Sequence, residues 1–195
     1  MITAGFTTTD PITQTRTTVI ESDAETDGRG WVLEVHCAPS AGPHILEHVH
    51  QSWTETFEIL SGSAIYKLDG RKQTADAGER IVMPPGVPHI HPWSAGDAEM
   101  VYRQINDFGE VNRAAVQDVL GVFATINGLA LDGRIGKRGL PKNPLQFAAT
   151  LRTLTKHGGF DAKVPIPLQQ LVAATLGRLA EALGYRSSYP RFVDG

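Results

Sequence analysis

The feature that most constrains the fold is a series of short segments that alternate apolar and polar residues, separated by turns rich in glycine and proline. In the clearest segment, residues 31–37, Trp31 and Cys37 share one apolar face, while Glu34 and His36 fall on the other. This alternation predicts a half-buried strand. Further strands are predicted over residues 45–50, 55–60, 63–68, 79–83, 89–93 and 99–105. Many short strands at this spacing are typical of a β-sandwich or barrel and not of alternating βαβ units.

After Phe108 the apolar residues recur with the period of a helix. One helix is predicted over residues 111–128, a second begins at Pro144 with Asn143 as its cap, and a third covers residues 167–184. Their apolar stripes are Val116, Val119, Leu120 and Phe123; Phe147, Ala148, Leu151 and Leu154; and Leu168, Leu171, Val172, Leu176, Leu179 and Leu183. We expect these stripes to cover either the outer face of the barrel or a two-fold partner.

The change of period divides the chain into three predicted regions. Residues 1–29 are predicted as an N-terminal arm with the first strand, residues 30–108 as a β-barrel and residues 109–195 as a helical extension. Residues 1–108 contain 7 Lys or Arg and 15 Asp or Glu, a net charge of −8, whereas residues 109–195 contain 11 and 6, a net charge of +5. Opposite signs fit a tail docked on its own barrel or on that of a partner subunit.

Composition excludes several classes of protein. With 41% hydrophobic and 20% charged residues among 195, the chain is too apolar and too weakly charged to be disordered. Its single cysteine, Cys37, cannot form an internal disulfide and is expected to be a core thiol. No apolar run reaches the roughly 18–20 residues of a membrane span, and the first residues lack the pattern of a signal peptide. We therefore expect a soluble, cytoplasmic protein.

The basic residues of the tail do not indicate a nucleic-acid partner, because they are dispersed over three helices and a loop. That loop, residues 131–144, is rich in glycine and in Lys and Arg. We expect Arg134, Lys137 and Arg138 to be solvated there, with phosphate binding as the alternative.

Histidines concentrate in the strand region with a spacing suited to a metal. His48 and His50 are separated by one residue, so their side chains point to the same side of a strand. Glu55 begins the next predicted strand, and His89 follows a proline-rich turn. A divalent transition metal binds imidazole nitrogens and a carboxylate that converge from rigid backbone, and adjacent antiparallel strands supply such a geometry.

At these residues the sequence resembles the cupin superfamily. The first motif of that family is matched at Gly42, His48, His50, Glu55 and Gly62, and the second at Gly78, Pro84, Gly86 and His89. The family's final Asn is replaced by Trp93, which changes one wall of the expected pocket. The resemblance covers about residues 30–106. It implies a double-stranded β-helix (jelly-roll) barrel that holds one divalent transition metal ion per subunit through His48, His50, Glu55 and His89.

Other residues are candidates for the same site. His91 shares a face with His89 on a regular strand and could support a ligand or contact substrate, or be a plain interior or rim residue. Glu47 and His91 are the candidate catalytic groups, and His44 is expected to be a loop residue. The candidate pocket residues are Phe57, His91, Trp93, Met100, Tyr102 and Gln104, with ordinary core positions as the alternative.

The expected chemistry follows from the open coordination positions of such a metal. Ligand type alone does not choose among Fe, Mn, Ni, Co, Cu and Zn. The site is similar to that of quercetin- and acireductone-type cupin dioxygenases, which favours an oxidoreductase acting on a small oxygenated organic molecule. The alternatives are a metal-dependent isomerase, cyclase or lyase, and a non-enzymatic binding protein, because the fold hosts all of these. A homodimer is the expected assembly.

Overall fold

The computed structural model describes residues 1–39, 42–43, 45–136 and 139–193. His44, Lys137 and Arg138 lie outside the described residues, so the roles expected for them stay predictions. The strands, in chain order, are β1 (Thr7–Asp10), β2 (Thr15–Glu21), β3 (Gly30–Cys37), β4 (His48–His50), β5 (Thr54–Ser61), β6 (Ser63–Leu68), β7 (Arg71–Asp76), β8 (Arg80–Met83), β9 (His89–Ser94), β10 (Met100–Asp107) and β11 (Gly159–Asp161).

These strands form two antiparallel sheets. The first has the order β1-β2-β3-β10-β5-β8 and the second the order β11-β4-β9-β6-β7. Every strand predicted from the alternation is present, although the segment predicted at 45–50 forms a strand only at His48–His50. The predicted mainly-β, jelly-roll architecture with a C-terminal helical extension is confirmed.

Side chains from both sheets fill the space between them. The fully buried residues Trp31, Phe57, Met83, Met100 and Tyr102 come from the first sheet, and they form one continuous apolar cluster with Ala64 and Ala75 of the second sheet. Cys37 lies in the same cluster, so the prediction of a core thiol is confirmed. Burial raises the pKa of this thiol to about 12.

The helical extension contains the three predicted helices and one further turn. The helices are α1 (Arg113–Leu131), α2 (Pro144–Lys156), α3 (Ile166–Val172), α4 (Arg178–Ala182) and α5 (Pro190–Val193), and a π turn, Ala173–Gly177, joins α3 to α4. Asn143 caps α2 as predicted, since its Oδ1 accepts hydrogen bonds from the amides of Leu145 and Gln146. The predicted third helix therefore exists, but with a π turn in its middle.

One helix in the described part of the chain, α1, is long and apolar enough by composition to cross a membrane. However, 56% of its most apolar window is buried inside the fold. Val116 and Val119 are fully buried and pack in the main apolar cluster. This is the behaviour of a core helix, so α1 gives no clear indication of a membrane span.

The third predicted stripe does not cover the barrel of its own chain. Its five leucines, from Leu168 to Leu183, are 46–60% exposed. The helix instead meets α2 through small residues, with Ala173, Gly177 and Ala180 buried. A Cβ on Gly177 would lie 2.9 Å from Cβ of Arg152, which shows how closely the two helices approach. We call these exposed residues, Leu168, Leu171, Leu176, Leu179 and Leu183, the leucine face.

Candidate metal centre

Four histidines project from two neighbouring strands of the second sheet. His48 and His50 lie on β4, and His89 and His91 lie on β9. The two strands pair antiparallel with His48 opposite His89. Because alternate residues of a strand share a face, all four imidazoles converge on one side of the sheet. Their ring centroids lie 4.4 Å apart for His48 and His89, and 4.8 Å apart for His48 and His91.

A buried carboxylate from the facing sheet meets this histidine group. Glu55, on β5, is 2% exposed. Its Oε2 lies 2.8 Å from His91 Nε2 and 3.2 Å from His89 Nε2. One ligand atom each from His48, Glu55, His89 and His91 lies within 4.8 Å of the others. Two atoms bonded to one ion at about 2.0–2.2 Å can be at most about 4.4 Å apart, so a small contraction would let this set bind a metal.

Three of the four ligands implied by the motifs, His48, Glu55 and His89, belong to this cluster. His91, which sequence reasoning considered as a supporting group, is the fourth member. His50 lies beside the cluster, with its Nε2 3.8 Å from Glu55 Oε1 and its ring stacked on Trp53 at 4.0 Å. The assignment of His50 as a ligand stays a prediction.

Backbone carbonyls fix the protonation of two of the rings. His48 Nδ1 donates to the Leu46 carbonyl and His89 Nδ1 donates to the Val87 carbonyl, each at 2.8 Å. A carbonyl only accepts, so the proton is on Nδ1 and the Nε2 lone pair is left for a metal. At His89 this lone pair would face an oxygen of the Glu55 carboxylate. Because two lone pairs repel each other, a second proton or a cation must lie between them. The donor set therefore fits a divalent metal ion.

The charge states of the cluster also suit metal binding. Burial, and after it the neighbouring His91, His50 and His89, holds the pKa of His48 well below its usual value. Burial likewise lowers the pKa of His50 to about 3. For Glu55, burial by itself would raise the pKa, but the neighbouring imidazoles of His50 and His91 hold it well below its usual value. Neutral imidazoles and an ionised carboxylate are the forms that coordinate metals.

The other oxygen of Glu55 is held by amides from β10. Gln104 Nε2 donates to Glu55 Oε1 at 3.0 Å. With its amide oriented to satisfy its neighbours, Asn106 donates to the same oxygen at 2.7 Å and accepts from Trp31 Nε1 at 2.9 Å. Sequence reasoning named Gln104 but missed Asn106 and Trp31. The signal was there for Asn106, because it lies two residues from Gln104 on the inward face of a strand.

The remaining candidate pocket residues divide into two groups. His91, Tyr102 and Gln104 line a cavity of about 480 Å³ that opens from the cluster. Phe57, Met100 and Trp93 are not among the described residues that line it: Phe57 and Met100 are fully buried in the core, and Trp93 is half-buried with Lys72 Nζ 5.9 Å from its ring.

The position of Trp93 has a physical reason. The register between β6 and β9 shifts, so that Lys67 pairs with Ile90 while Ile65 pairs with Trp93. This bulge adds a residue to β9 and interrupts the regular alternation on which the expectation for Trp93 depended.

Both candidate catalytic groups line the cavity, and each already interacts with a charged side chain. Glu47 Oε1 forms an ion pair with Lys67 Nζ at 2.9 Å, and His91 binds Glu55. Tyr102 also lines the cavity, and burial raises its pKa well above the usual value. Glu47 and His91 therefore already have partners, and the Tyr102 phenol keeps its proton at neutral pH.

Comparison with known proteins gives a family for part of the chain. Residues 34–105 match the family described as Cupin domain. No curated protein matches the chain. Solved structures that match part of the chain include a predicted oxalate decarboxylase from Thermotoga maritima, with 16% identity, a TM-score of 0.43, and coverage of 48% of this chain and 80% of that chain. An RmlC-like cupin from Shewanella frigidimarina has 13% identity, a TM-score of 0.43, and coverage of 52% and 82%.

Proposed function

We propose that the chain, whose residues 34–105 match the Cupin domain family, is a metal-dependent enzyme, specifically a dioxygenase-like oxidoreductase that acts on a small oxygenated organic molecule. The observation that carries the proposal is the cluster of His48, Glu55, His89 and His91 at one end of a cavity. His50 is proposed as an additional or alternative ligand. When bound, a divalent transition ion would supply Lewis acidity and, where it is redox-active, a route for electrons between substrate and oxygen.

The state of the other ionisable groups supports an oxidoreductase over an isomerase, cyclase or lyase. Proton-transfer chemistry needs a group in the pocket that can take and return a proton. Glu47 is paired with Lys67, and His91 is bonded to Glu55. Burial also raises the pKa of Tyr102, so its phenol keeps its proton and does not act as a base. These residues can orient a substrate and exclude water around it.

The experiment combines elemental analysis of protein purified without added metal with oxygen uptake against enols, catechols and diketones. We expect close to one transition metal ion per subunit and oxygen consumption with at least one substrate class. His48→Ala and His89→Ala should lose both the metal and the oxygen uptake, while Leu131→Ala, at an exposed position outside the site, should retain both.

Three results would replace the proposal. Turnover that continues unchanged without oxygen would assign the isomerase, cyclase or lyase alternative. Metal-loaded protein that binds a small molecule but converts none would assign a non-enzymatic binding role. Protein that contains no ion and takes up none would overturn the metal centre itself.

We also propose that a second copy of the chain covers the leucine face, which gives a homodimer. Contiguous exposed apolar side chains of this kind mark interfaces, and a two-fold axis would pair the face with itself. The double substitution Leu176→Glu and Leu179→Glu should convert the dimer to a folded monomer, while Leu131→Glu should not. Analytical ultracentrifugation measures the change. A wild-type chain that is monomeric at high concentration would refute this assembly.

The cytoplasmic location stays a prediction, which cell fractionation would check.

A further inference from the structure

The cavity that opens from the histidine cluster extends well beyond the barrel. Its volume of about 480 Å³ lies within the range of small-molecule sites, about 300–1,000 Å³. His48, His50 and Glu55 line one end. The helical extension lines the other end through α1, α2 and α3.

Parts of the apolar stripes of two helices face this space. Leu120 and Phe123 of α1 line it, as do Phe147, Leu151 and Leu154 of α2. Within the folded chain, Phe123, Phe147, Leu151 and Leu154 are only half-buried. Apolar walls that do not meet one another leave a cavity that favours an apolar occupant over water.

The charged groups of the cavity are few and already paired. Among the described residues that line it there is no Lys or Arg. Glu47 is paired with Lys67, which is not a lining residue. Asp10 accepts a hydrogen bond from the amide of Ile12, and Asp161 accepts one from the amide of Lys163. A phosphate would find no cation among the described residues of these walls, and a sugar would meet hydroxyls and amides, such as those of Thr17, Asn127 and Thr150, only on a lining surface that is mostly apolar.

We propose that the substrate is an elongated, largely apolar molecule with a single oxygen-bearing end. The polar end lies at the histidine–glutamate cluster, and the hydrocarbon body lies between the barrel and helices α1–α3. This inference deepens the proposed function and rests on it for the position of the polar end. The helical extension is then the part of the chain that selects substrate by length and polarity.

The test uses two series of straight-chain probes on the metal-loaded full chain: alkyl hydroxamates, which carry a metal-binding head, and primary alcohols of the same lengths. Isothermal titration calorimetry measures the affinity at each length. We expect affinity to rise about threefold to fourfold per methylene as each is buried, and to level off once the cavity is filled. At equal length the hydroxamate should bind more tightly than the alcohol.

Variants of the helical wall test where the chain lies. Leu151→Trp should shorten the length at which affinity levels off, and Phe147→Ala should lengthen it. Leu131→Trp is the matched control, since Leu131 is exposed on α1 and does not line the cavity. Because the two wall variants change the limit in opposite directions, poor folding of one, checked by circular dichroism, leaves the other as the test.

The outcomes separate the two proposals. Affinity that is independent of chain length in both series, or a limit that neither wall variant moves, overturns the apolar substrate even if short hydroxamates still bind the metal. In another outcome, affinity rises with chain length while hydroxamates bind no more tightly than alcohols, both in the wild type and in His48→Ala. This result supports the apolar cavity. That same result overturns both the placement of the polar end and the metal-dependent function.

Discussion

Replacing Asn106 by Leu should weaken both the fold and the metal centre, although Asn106 is not a ligand. Its amide joins the buried indole of Trp31 to Oε1 of Glu55, with distances of 2.9 Å and 2.7 Å. Trp31 is 0% exposed and Asn106 2% exposed, so water cannot replace either hydrogen bond without opening the barrel. A leucine of similar size removes the donor and the acceptor together.

The magnitude follows from the two lost bonds. An indole N–H left unsatisfied in the core costs about 1–3 kcal/mol, and a hydrogen bond to a charged carboxylate contributes about 1.5–3 kcal/mol. Burying the leucine side chain returns a part of this. The free energy of unfolding of the metal-free chain should therefore fall by about 2–5 kcal/mol. Loss of a group that orients a ligand typically weakens metal affinity about 10–100-fold, and we expect that range here.

Urea unfolding and a metal competition titration measure the two effects. The matched control is a double-mutant cycle with Trp31→Phe, which removes the indole N–H. Once that donor is absent, Asn106→Leu should cost less than it does in the wild type. An Asn106→Leu protein within about 0.5 kcal/mol of wild type, with unchanged metal affinity, would refute the reasoning.

Three further predictions address other parts of the chain. Because burial raises the pKa of Cys37 to about 12, a disulfide reagent should label the folded chain at least about a thousandfold more slowly than free cysteine at pH 8, and rapid labelling would contradict this. Gly30→Ala should lower the free energy of unfolding by about 3 kcal/mol or more in urea, since its Cβ would overlap the Asn106 carbonyl oxygen, and a neutral result would rule out that contact. For Asp118, burial by itself would raise the pKa, but hydrogen bonds from His157 and Lys156 hold it below its usual value. Its stabilising effect is thus fully present above the unfolded pKa of about 3.9 and is lost below it. Asp118→Asn should cost at most about 1 kcal/mol at pH 7 in thermal unfolding, the difference should narrow only below about pH 4, and a constant difference would argue against the ion pair.

The sequence predicts where the metal centre lies better than it predicts which side chains form it. His48 and His50 are two positions apart in the sequence, so they lie on one side of β4. The same holds for His89 and His91 on β9. Both pairs therefore follow from local periodicity. Which imidazoles surround the carboxylate depends on where β5 of the other sheet carries Glu55. That is a long-range relation between two sheets, and the spacing of residues along one strand does not contain it.

Sequence reasoning placed one strand without bounds within residues 1–29 and none at β7, where the alternation is weak. Strand β7, Arg71–Asp76, is exposed except for Ala75, and β1 is four residues of Thr and Asp. Both lie at the edge of a sheet, where only one neighbouring strand pairs with them. Their pairing with a neighbouring strand stabilises them, and a pattern search that relies on apolar periodicity has no signal for such pairing.

The last predicted helix shows why a correct periodicity does not tell which chain covers the apolar side. Its leucines are spaced by three, five, three and four residues, and the step of five, from Leu171 to Leu176, crosses the π turn. Such a turn takes about one more residue than an α-helical turn, so it keeps the leucine face in line. Yet the side that packs against α2 is the one with Ala173, Gly177 and Ala180, because only small residues allow the backbones to approach so closely. Apolar periodicity identifies a face that avoids water, but it does not say whether the same chain or another one covers that face. The leucine face is therefore a stronger argument for a partner than it would be if the helix had no other packing surface.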